Sequence, residues 1–498
     1  MHTIGQTHPR RHWMAALTLL VFGLALAAGH TPAQAQTTDP FAQFNTGAAG
    51  EGAGEGADPF AQFNAPGGGE AAPLAATPAL EWSGFVEVER AAHLGEESPV
   101  GRDFIQDNTR VRLKTSLQNR HGGAFFKLDF TEDGITGSSA VDVREARLQY
   151  TPWRWLDLNV GKQVSTWGVG DMVFINDLFP KNWVAMFTGR DMELWKDSAN
   201  ALRVAAFAGP LTWDTVWHPR FAPDTTPTGC RFAVFDPNSG QVSAFPSTCG
   251  GPAPAASLTG QDEDGELAMR LKMMVGGFEL ALYGYQGFFK SPRGLRWLDA
   301  QGQPVSGVPN PAGGDWLAPY YPELQVTGLS LEGQAGAGIF SLEAGYYDSR
   351  EDPEGDQFLI ENSMVKYLVG YRMDFSAHFG AGLQWYSEEM AQYEAYEAAY
   401  LANNPAGYAF RKDKKRDTYT LRLTFKFQQD TFWINYFTYQ RPQEMDSYQK
   451  LDFTKRLDDN FVLAGSLNVF AGDDDRRDRE FSMVRDDDNA ALRLTYNF

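Results

Sequence analysis

The chain has 498 residues and a formal charge of −20 at pH 7, with 43 Lys or Arg against 63 Asp or Glu. This acidic balance argues against a nucleic-acid-binding protein, since such proteins need basic surfaces. Aromatic residues make up 13% of the chain although its mean hydropathy is negative at −0.38, and a single soluble core of this length would be unusual because chains above about 250–300 residues usually split into domains.

The first 35 residues have the organisation of a secretory signal peptide. Arg10 and Arg11 precede an apolar run over residues 14–28, and Ala33-Gln34-Ala35 supplies a small-x-small cleavage site. The apolar run is shorter than the span of about 20 residues that a transmembrane helix needs. We therefore predict that the chain is exported and that residues 1–35 are removed.

Residues 36–79 form a low-complexity segment rich in Gly, Ala and Pro. The sequence Asp-Pro-Phe-Ala-Gln-Phe-Asn occurs at 39–45 and again at 58–64. Such a composition buries too little apolar surface to fold alone, which predicts a disordered periplasmic tether. Three roles remain open: a plain tether, two copies of a motif that docks a periplasmic partner with added avidity, and a plug or lining of a pore.

From residue 80 to the end, apolar and polar residues alternate in short runs. In one early run Val111 and Leu113 alternate with Arg110, Arg112 and Lys114. The last run places Leu492, Leu494 and Tyr496 on one face with terminal Phe498. A period of two indicates β-strands with one apolar and one polar face. In a membrane barrel those faces meet lipid and a wet lumen.

The connections between these runs alternate in length, which distinguishes a barrel from a soluble sandwich. Short turns are expected near 119–123, 151–155, 275–278, 334–338, 374–378, 428–430 and 456–459. Long segments are expected near 93–105, 131–140, 164–198, 219–262, 287–322, 348–360, 387–416, 440–446 and 471–487. Short turns on one side and long loops on the other are typical of outer-membrane barrels.

The sequence therefore predicts an all-β protein, with a transmembrane antiparallel β-barrel of about 16–18 strands over residues 80–498. The less regular runs near 199–218 and 431–439 leave the strand number open. A barrel of this size leaves an aqueous channel unless something fills it. The charges expected to face that lumen are Glu87, Arg110, Arg112, Lys114, Asp129 and Arg147.

The segment from Gly161 to Lys181 follows a strand and is too apolar for a solvated loop. Met172, Val173 and Phe174 need cover, and the barrel interior offers it. We therefore predict that residues 164–190 fold inward and narrow the channel.

In this segment the chain resembles a large family of Gram-negative porin-like outer-membrane proteins. The shared positions are Gly161-Lys162-Gln163, Trp167-Gly168, Asp171, Asn176-Asp177 and Phe179-Pro180. The resemblance covers roughly residues 82–220 by motif, and it departs at Phe179, where the family often has Asn before Pro. It says little about the solute.

The resemblance implies a pore constriction built from Lys162, Trp167, Asp171, Asn176 and Asp177. Trp167 would offer a packing or stacking face. The two aspartates would create a negative field that favours cations, since a narrow low-dielectric neck focuses charge. Opposed acidic and basic walls would orient dipolar solutes. The competing interpretation is that these charges only pair and solvate the lumen. Terminal Tyr496 and Phe498 resemble the signal that the barrel-assembly machinery recognises.

The chain has two cysteines, Cys230 and Cys249, both in one long loop, and in an oxidising envelope they are expected to pair. No Gly-x-Ser-x-Gly elbow, metal-binding His pair or haem site occurs, so we expect neither an enzyme nor a cofactor. Expected partners are outer-membrane lipid, lipopolysaccharide, the barrel-assembly machinery and a periplasmic protein, but no nucleic acid.

These observations predict an outer-membrane channel for passive diffusion of small hydrophilic solutes, as a monomer or a trimer. Two alternatives stay open. One is the barrel sheath of a porin–cytochrome electron conduit. The other is an anchor or export pore that docks a periplasmic partner through residues 36–79.

Overall fold

The structure is a computed structural model that describes residues 79–95, 100–119, 121–227, 230–236, 241–243, 264–305, 309–404, 410–473, 476 and 479–498. The predicted signal peptide, all but the last residue of the 36–79 segment, and Cys249 lie outside the described residues.

Eighteen antiparallel strands form one closed barrel, which confirms the predicted fold class and gives the larger of the two strand numbers. Each strand pairs with the next along the chain, and the last strand pairs with the first. The barrel strands are β1 (Ala79–His93), β2 (Phe104–Asn119), β3 (Gly122–Asp133), β4 (Ser138–Trp153), β5 (Leu156–Val164), β6 (Ser198–Ala208), β7 (Leu211–His218), β10 (Glu266–Val275), β11 (Phe278–Phe288), β14 (Glu323–Ala335), β15 (Gly338–Ser349), β16 (Met364–Ser376), β17 (Phe379–Met390), β18 (Lys415–Phe427), β19 (Phe432–Arg441), β20 (Asp446–Arg456), β21 (Phe461–Ala471) and β22 (Asn489–Asn497).

Smaller elements lie in the loops. Two hairpins are formed by β8 (Val234–Asp236) with β9 (Gln241–Ser243), and by β12 (Gly294–Leu298) with β13 (Trp316–Tyr320). The helices are α1 (Trp183–Phe187) and α2 (Tyr393–Asn403), with 3-10 turns at Met192–Trp195, Pro311–Gly313 and Ser482–Val484. In the described part of the chain, no helix is long and apolar enough to cross a membrane.

The less regular run near 199–218 forms two regular strands, β6 and β7. They are joined by Gly209-Pro210, and Gly209 has a φ of +59°. The alternation is faint in β6 because its alanines, such as Ala199, Ala201 and Ala205, occupy inward positions that carry larger polar groups elsewhere.

The two faces of the barrel differ in chemistry, as the alternation predicts. On β18, Tyr419 is 45% exposed on the outside, whereas Thr420 and Arg422 are buried on the inside. Apolar side chains stand on the outer face around the whole barrel, which is the surface that lipid would cover. One group of exposed aromatics lies near the short turns, as in an interfacial girdle: Trp82, Tyr150, Trp153, Trp155, Trp213, Tyr371, Phe375 and Phe427.

The two rims differ as well. One rim, the loop rim, carries nine connections, and the other, the turn rim, carries eight short turns together with Ala79 and Phe498. Three loop-rim connections matter below: L3 (residues 165–197), L4 (residues 219–265) and L9 (residues 472–488).

Candidate pore-lining site

L3 leaves the loop rim after β5 and folds into the barrel, where it meets walls on several sides. Glu193 contacts Arg112 on β2, with Oε2 and Nη1 2.5 Å apart. Across the barrel, Glu343 on β15 accepts the backbone N–H of Asn176 at 2.8 Å. Near β2, the Asn489 side chain on β22 donates to the carbonyl oxygen of Phe187 at 3.0 Å. Because β2 and β15 lie on opposite sides of the closed sheet, L3 crosses the interior.

Glu343 on β15 is the most extensively bonded anchor of L3. Its side chain is fully buried. Oε2 accepts the backbone N–H groups of Val169 at 3.0 Å and Gly170 at 3.1 Å, and Oε1 accepts the backbone N–H of Asn176 at 2.8 Å and its side-chain amide at 3.0 Å. Four donors converge on one carboxylate, so this acidic group fixes the fold of the loop rather than facing a solute.

Two glycines in the wall let L3 approach this closely. Gly328 on β14 and Gly345 on β15 are cross-strand partners. A β-carbon at Gly328 would stand 1.8 Å from Oδ1 of Asn176, and one at Gly345 would stand 2.9 Å from Cγ2 of Ile175. The paired glycines form a window without side chains on which Ile175 and Asn176 rest. Glu343, Gly328 and Gly345 together hold this part of L3 against β14 and β15.

Trp167 packs into the wall instead of presenting a free face. Its ring meets Phe179 edge-on, with centroids 5.0 Å apart, and lies 6.1 Å from the ring of Tyr283. The guanidinium of Arg270 stands 5.0 Å from the indole. Trp167 is only 5% exposed, so it seats the first part of L3 against β10 and β11.

Asp171 and Asp177 both lie in ion pairs. Asp171 binds Arg422 on β18 through two bonds of 2.5 and 2.6 Å. Asp177 accepts from Lys181 at 2.9 Å and from Lys196 at 3.0 Å, both within L3. Because each carboxylate has a cation at contact distance, its negative field is largely neutralised, and the preference for cations stays a prediction that these two residues do not support.

The environment of Asp177 also sets its ionisation. Burial alone would raise the pKa of this carboxyl, but the ammonium groups of Lys181 and Lys196 outweigh burial and hold the pKa below its usual value. Asp177 therefore stays charged at neutral pH and ties the middle of L3 to Lys196 near the end of the loop.

Lys162 lies away from the other residues of the predicted constriction. Its register pairs it with Ala146, which pairs in turn with Phe126, an outward residue that is 47% exposed. Alternate side chains of a strand point to opposite faces, so Lys162 is on the outer face of β5, where it binds Asp142 at 3.0 Å. This corrects the prediction that places Lys162 at the constriction.

The six charges expected to line the lumen all lie on the inward faces of β1 to β4. Arg110 binds Glu87 at 2.7 Å, and Arg112 binds Asp129 at 2.5 Å. Nearby, Arg147 stands 3.4 Å from Glu145, and the Lys114 ammonium lies 5.9 Å from the ring of Phe85. This wall therefore carries alternating charges that are mostly matched.

An aromatic cluster inside the barrel was not evident from the sequence. The ring of Phe187, at the end of α1, meets four other rings edge-on with centroids 5.4 to 6.4 Å apart. The four rings come from L4, β20, β21 and L9: Phe232, Tyr448, Phe470 and Phe481. Folded loops thus bury an apolar core within the lumen, which local periodicity cannot reveal because its members come from distant segments.

Cys230 is buried in L4 and is disulfide-bonded. Cys249 lies outside the described residues, so its predicted pairing with Cys230 stays a prediction. In the described ranges, no group of three or more His, Cys, Asp or Glu is arranged to hold a metal ion.

Comparison with known proteins gives a likeness of fold only. No family model matches the chain, and no curated protein matches it in sequence. Among solved structures, it is similar to OccD3 (OpdP) of Pseudomonas aeruginosa, with a TM-score of 0.49 and 10% identity over 85% of this chain and 94% of that one. A mutant of the Rh. blastica porin gives a TM-score of 0.38 and 10% identity over 84% and 100% of the two chains. A loop-deletion mutant of OmpT, an outer membrane protein of Vibrio cholerae, gives a TM-score of 0.38 and 10% identity over 84% and 99%.

Proposed function

We propose that the chain is an outer-membrane channel through which small hydrophilic solutes diffuse passively, and that L3 narrows the path. The observation that carries this proposal is the inward fold of L3, anchored on Glu343 inside a closed barrel. A barrel with an apolar outer face is suited to lipid, and a charged inner face is suited to water.

The charged wall gives the proposed path its chemical character. Arg110 with Glu87 and Arg112 with Asp129 place fixed charges of both signs along one side of the lumen. The charged groups of this wall can replace water molecules around a polar solute, so the free-energy cost of dehydrating the solute is low. The electric field between neighbouring opposite charges orients the dipole of the solute. Apolar solutes are not stabilised by these charges, and L3 obstructs the passage of large solutes.

The position of L3 also bears on the two alternatives. A conduit sheath needs room inside the barrel for a haem-bearing partner, and there L3 already contacts β2, β15, β18 and β22. The anchor alternative depends on residues 36–79, nearly all of which lie outside the described residues, so the repeated motif remains its sole support.

The test is single-channel recording of the purified protein in a planar lipid bilayer, with and without residues 36–79. We expect a steady current from the full chain that rises in proportion to salt concentration. A current that appears only after the deletion would identify the segment as a plug. No current from either form, with circular dichroism showing a folded barrel, would overturn the channel proposal in favour of an anchor.

A further inference from the structure

A charged cleft lies between L3 and the wall formed by β20, β21, β22 and β1. Its cavity volume is about 40 Å³, and the cleft is partly open to solvent. Arg190, Asp191 and Trp195 of L3 form one side, and Lys450 and Arg493 form the other. The cleft also reaches Thr454 and Ala464, which lie near the turn between β20 and β21, so it extends toward the turn rim.

Small residues shape this cleft. Ala464 and Ala491 line the wall where bulky side chains would fill the space. Across from them, Gly189 has a φ of +76°, and a β-carbon there would stand 1.9 Å from Oγ of Ser466. L3 thus touches the wall at Gly189 and leaves open space beside it.

The charged groups in the cleft are incompletely bonded. Glu89 is 1% exposed; its Oε2 accepts from Arg190 at 3.2 Å, whereas its buried Oε1 has no hydrogen-bond partner. Arg493 donates to Asp191 at 3.2 Å, but its Nη1 stands 3.7 Å from Oε1 of Glu89, beyond hydrogen-bond distance. A buried carboxylate oxygen without a donor is costly, so a ligand that supplies a donor is favoured there.

From this geometry we propose that the cleft is a binding site for small amphoteric solutes, those with one ammonium and one carboxylate group, such as free amino acids. The inference rests on the proposed channel function and names its solute class. The ammonium group donates to Oε1 of Glu89 and is attracted by Asp191. The carboxylate accepts from Arg493, whose Nη1 has no acceptor within hydrogen-bond distance among the described residues.

Single-charge solutes fit this cleft less well. An anion leaves Oε1 of Glu89 without a donor and adds repulsion from Asp191. A cation leaves Nη1 of Arg493 without an acceptor and meets repulsion from Arg190 and Arg493. Selectivity arises because each wrong solute leaves one buried group unpaired.

The test uses three molecules of matched shape: L-valine, isovalerate, which lacks the ammonium group, and isobutylamine, which lacks the carboxylate. Binding is read from tryptophan fluorescence of the full chain in detergent, and Trp195→Phe identifies the part of the signal that comes from the cleft. We expect L-valine to give a saturable change, with each single-charge analogue binding at least about tenfold more weakly, the cost of one unpaired charged hydrogen bond.

Glu89→Gln should weaken L-valine binding about tenfold without weakening isovalerate binding, because the substitution removes a negative charge from the cleft. Asp191→Asn, in a half-exposed part of L3, provides the same test if Glu89→Gln does not fold. Lys455→Gln serves as the control because Lys455 pairs in register with Phe432 on the outer face.

Equal binding of the three molecules, or no saturable change with L-valine, would overturn the proposed binding site. Because binding is measured without a membrane, a protein that binds L-valine but carries no current would contradict only the channel.

Discussion

Phe498 closes the barrel on Gly84. The two residues exchange backbone hydrogen bonds, with each N–H donating to the other's carbonyl at 3.0 Å. The Phe498 ring then covers the glycine, so that a β-carbon at Gly84 would stand 2.7 Å from Cζ of the ring and 2.3 Å from the carbonyl oxygen of Arg112. The aromatic end of the chain is therefore part of the β1–β22 seam.

Gly84→Ala should destabilise the folded barrel, because the added methyl group would collide with both the carbonyl oxygen of Arg112 and the ring of Phe498. Overpacking of this kind costs about 1–3 kcal/mol. The measurement is urea unfolding in lipid vesicles, followed by tryptophan fluorescence. Gly284→Ala is the matched control, since a β-carbon at Gly284 has no neighbour within 4 Å. Equal stability of the two variants would refute the role of the seam contact.

Glu343→Gln should loosen L3 while the barrel stays folded. An amide presents one acceptor oxygen where the carboxylate presents two, so the N–H groups of Val169 and Gly170 lose their partner, at a cost of about 1–3 kcal/mol. We expect a larger and noisier single-channel current. Glu332→Gln is the control, because Glu332 is an inward residue of β14 that binds Arg372 instead of L3. A current like that of the wild type would show that Glu343 does not hold the loop.

Breaking the Asp171–Arg422 pair should create ion selectivity whose sign depends on which partner is removed. Arg422→Gln leaves an uncompensated carboxylate and should favour K⁺, whereas Asp171→Asn leaves an uncompensated guanidinium and should favour Cl⁻. The reversal potential in a KCl gradient gives the sign directly. The double variant should return toward the wild-type value. Shifts of the same sign in both single variants would contradict the pairing.

L3 should loosen in acid but not near neutrality. Because the pKa of Asp177 is held below its usual value, its pairs with Lys181 and Lys196 stabilise L3 above the unfolded pKa of about 3.9 and are lost as pH falls through the lower folded value. Current noise should therefore stay constant from about pH 7 to pH 5 and rise in stronger acid. Asp177→Asn should be noisy already at pH 7. A wild-type rise between pH 7 and 5 would require another titrating group.

The sequence predicted most of the fold because strand alternation and loop length are local properties. It predicted the inward position of Arg110 and Arg112 for the same reason. It did not predict that Asp171 is neutralised by Arg422, since the two are 251 residues apart and only closure of the barrel brings them together.

Other features left weaker signals in the sequence. Gly328 and Gly345 interrupt two otherwise regular strands, and glycine inside a strand often marks the close approach of another segment. The prediction assigned Lys162 to the wrong face of β5. The motif places Lys162 close to the constriction in sequence, but it does not show which face of the strand the side chain takes. Because neighbouring residues of a strand point to opposite faces, Lys162 and Gln163 cannot both face the lumen.

The contacts of L3 have a consequence for how this protein assembles. Arg190 binds Glu89 on β1, and the neighbouring Asp191 binds Arg493 on β22, so consecutive residues of the loop hold the first and the last strand of the sheet. These two strands are the furthest apart in the chain, and they meet only when the cylinder is completed. Seating of the loop and closure of the cylinder thus stabilise each other, and an open sheet with a displaced loop lacks both sets of bonds at once.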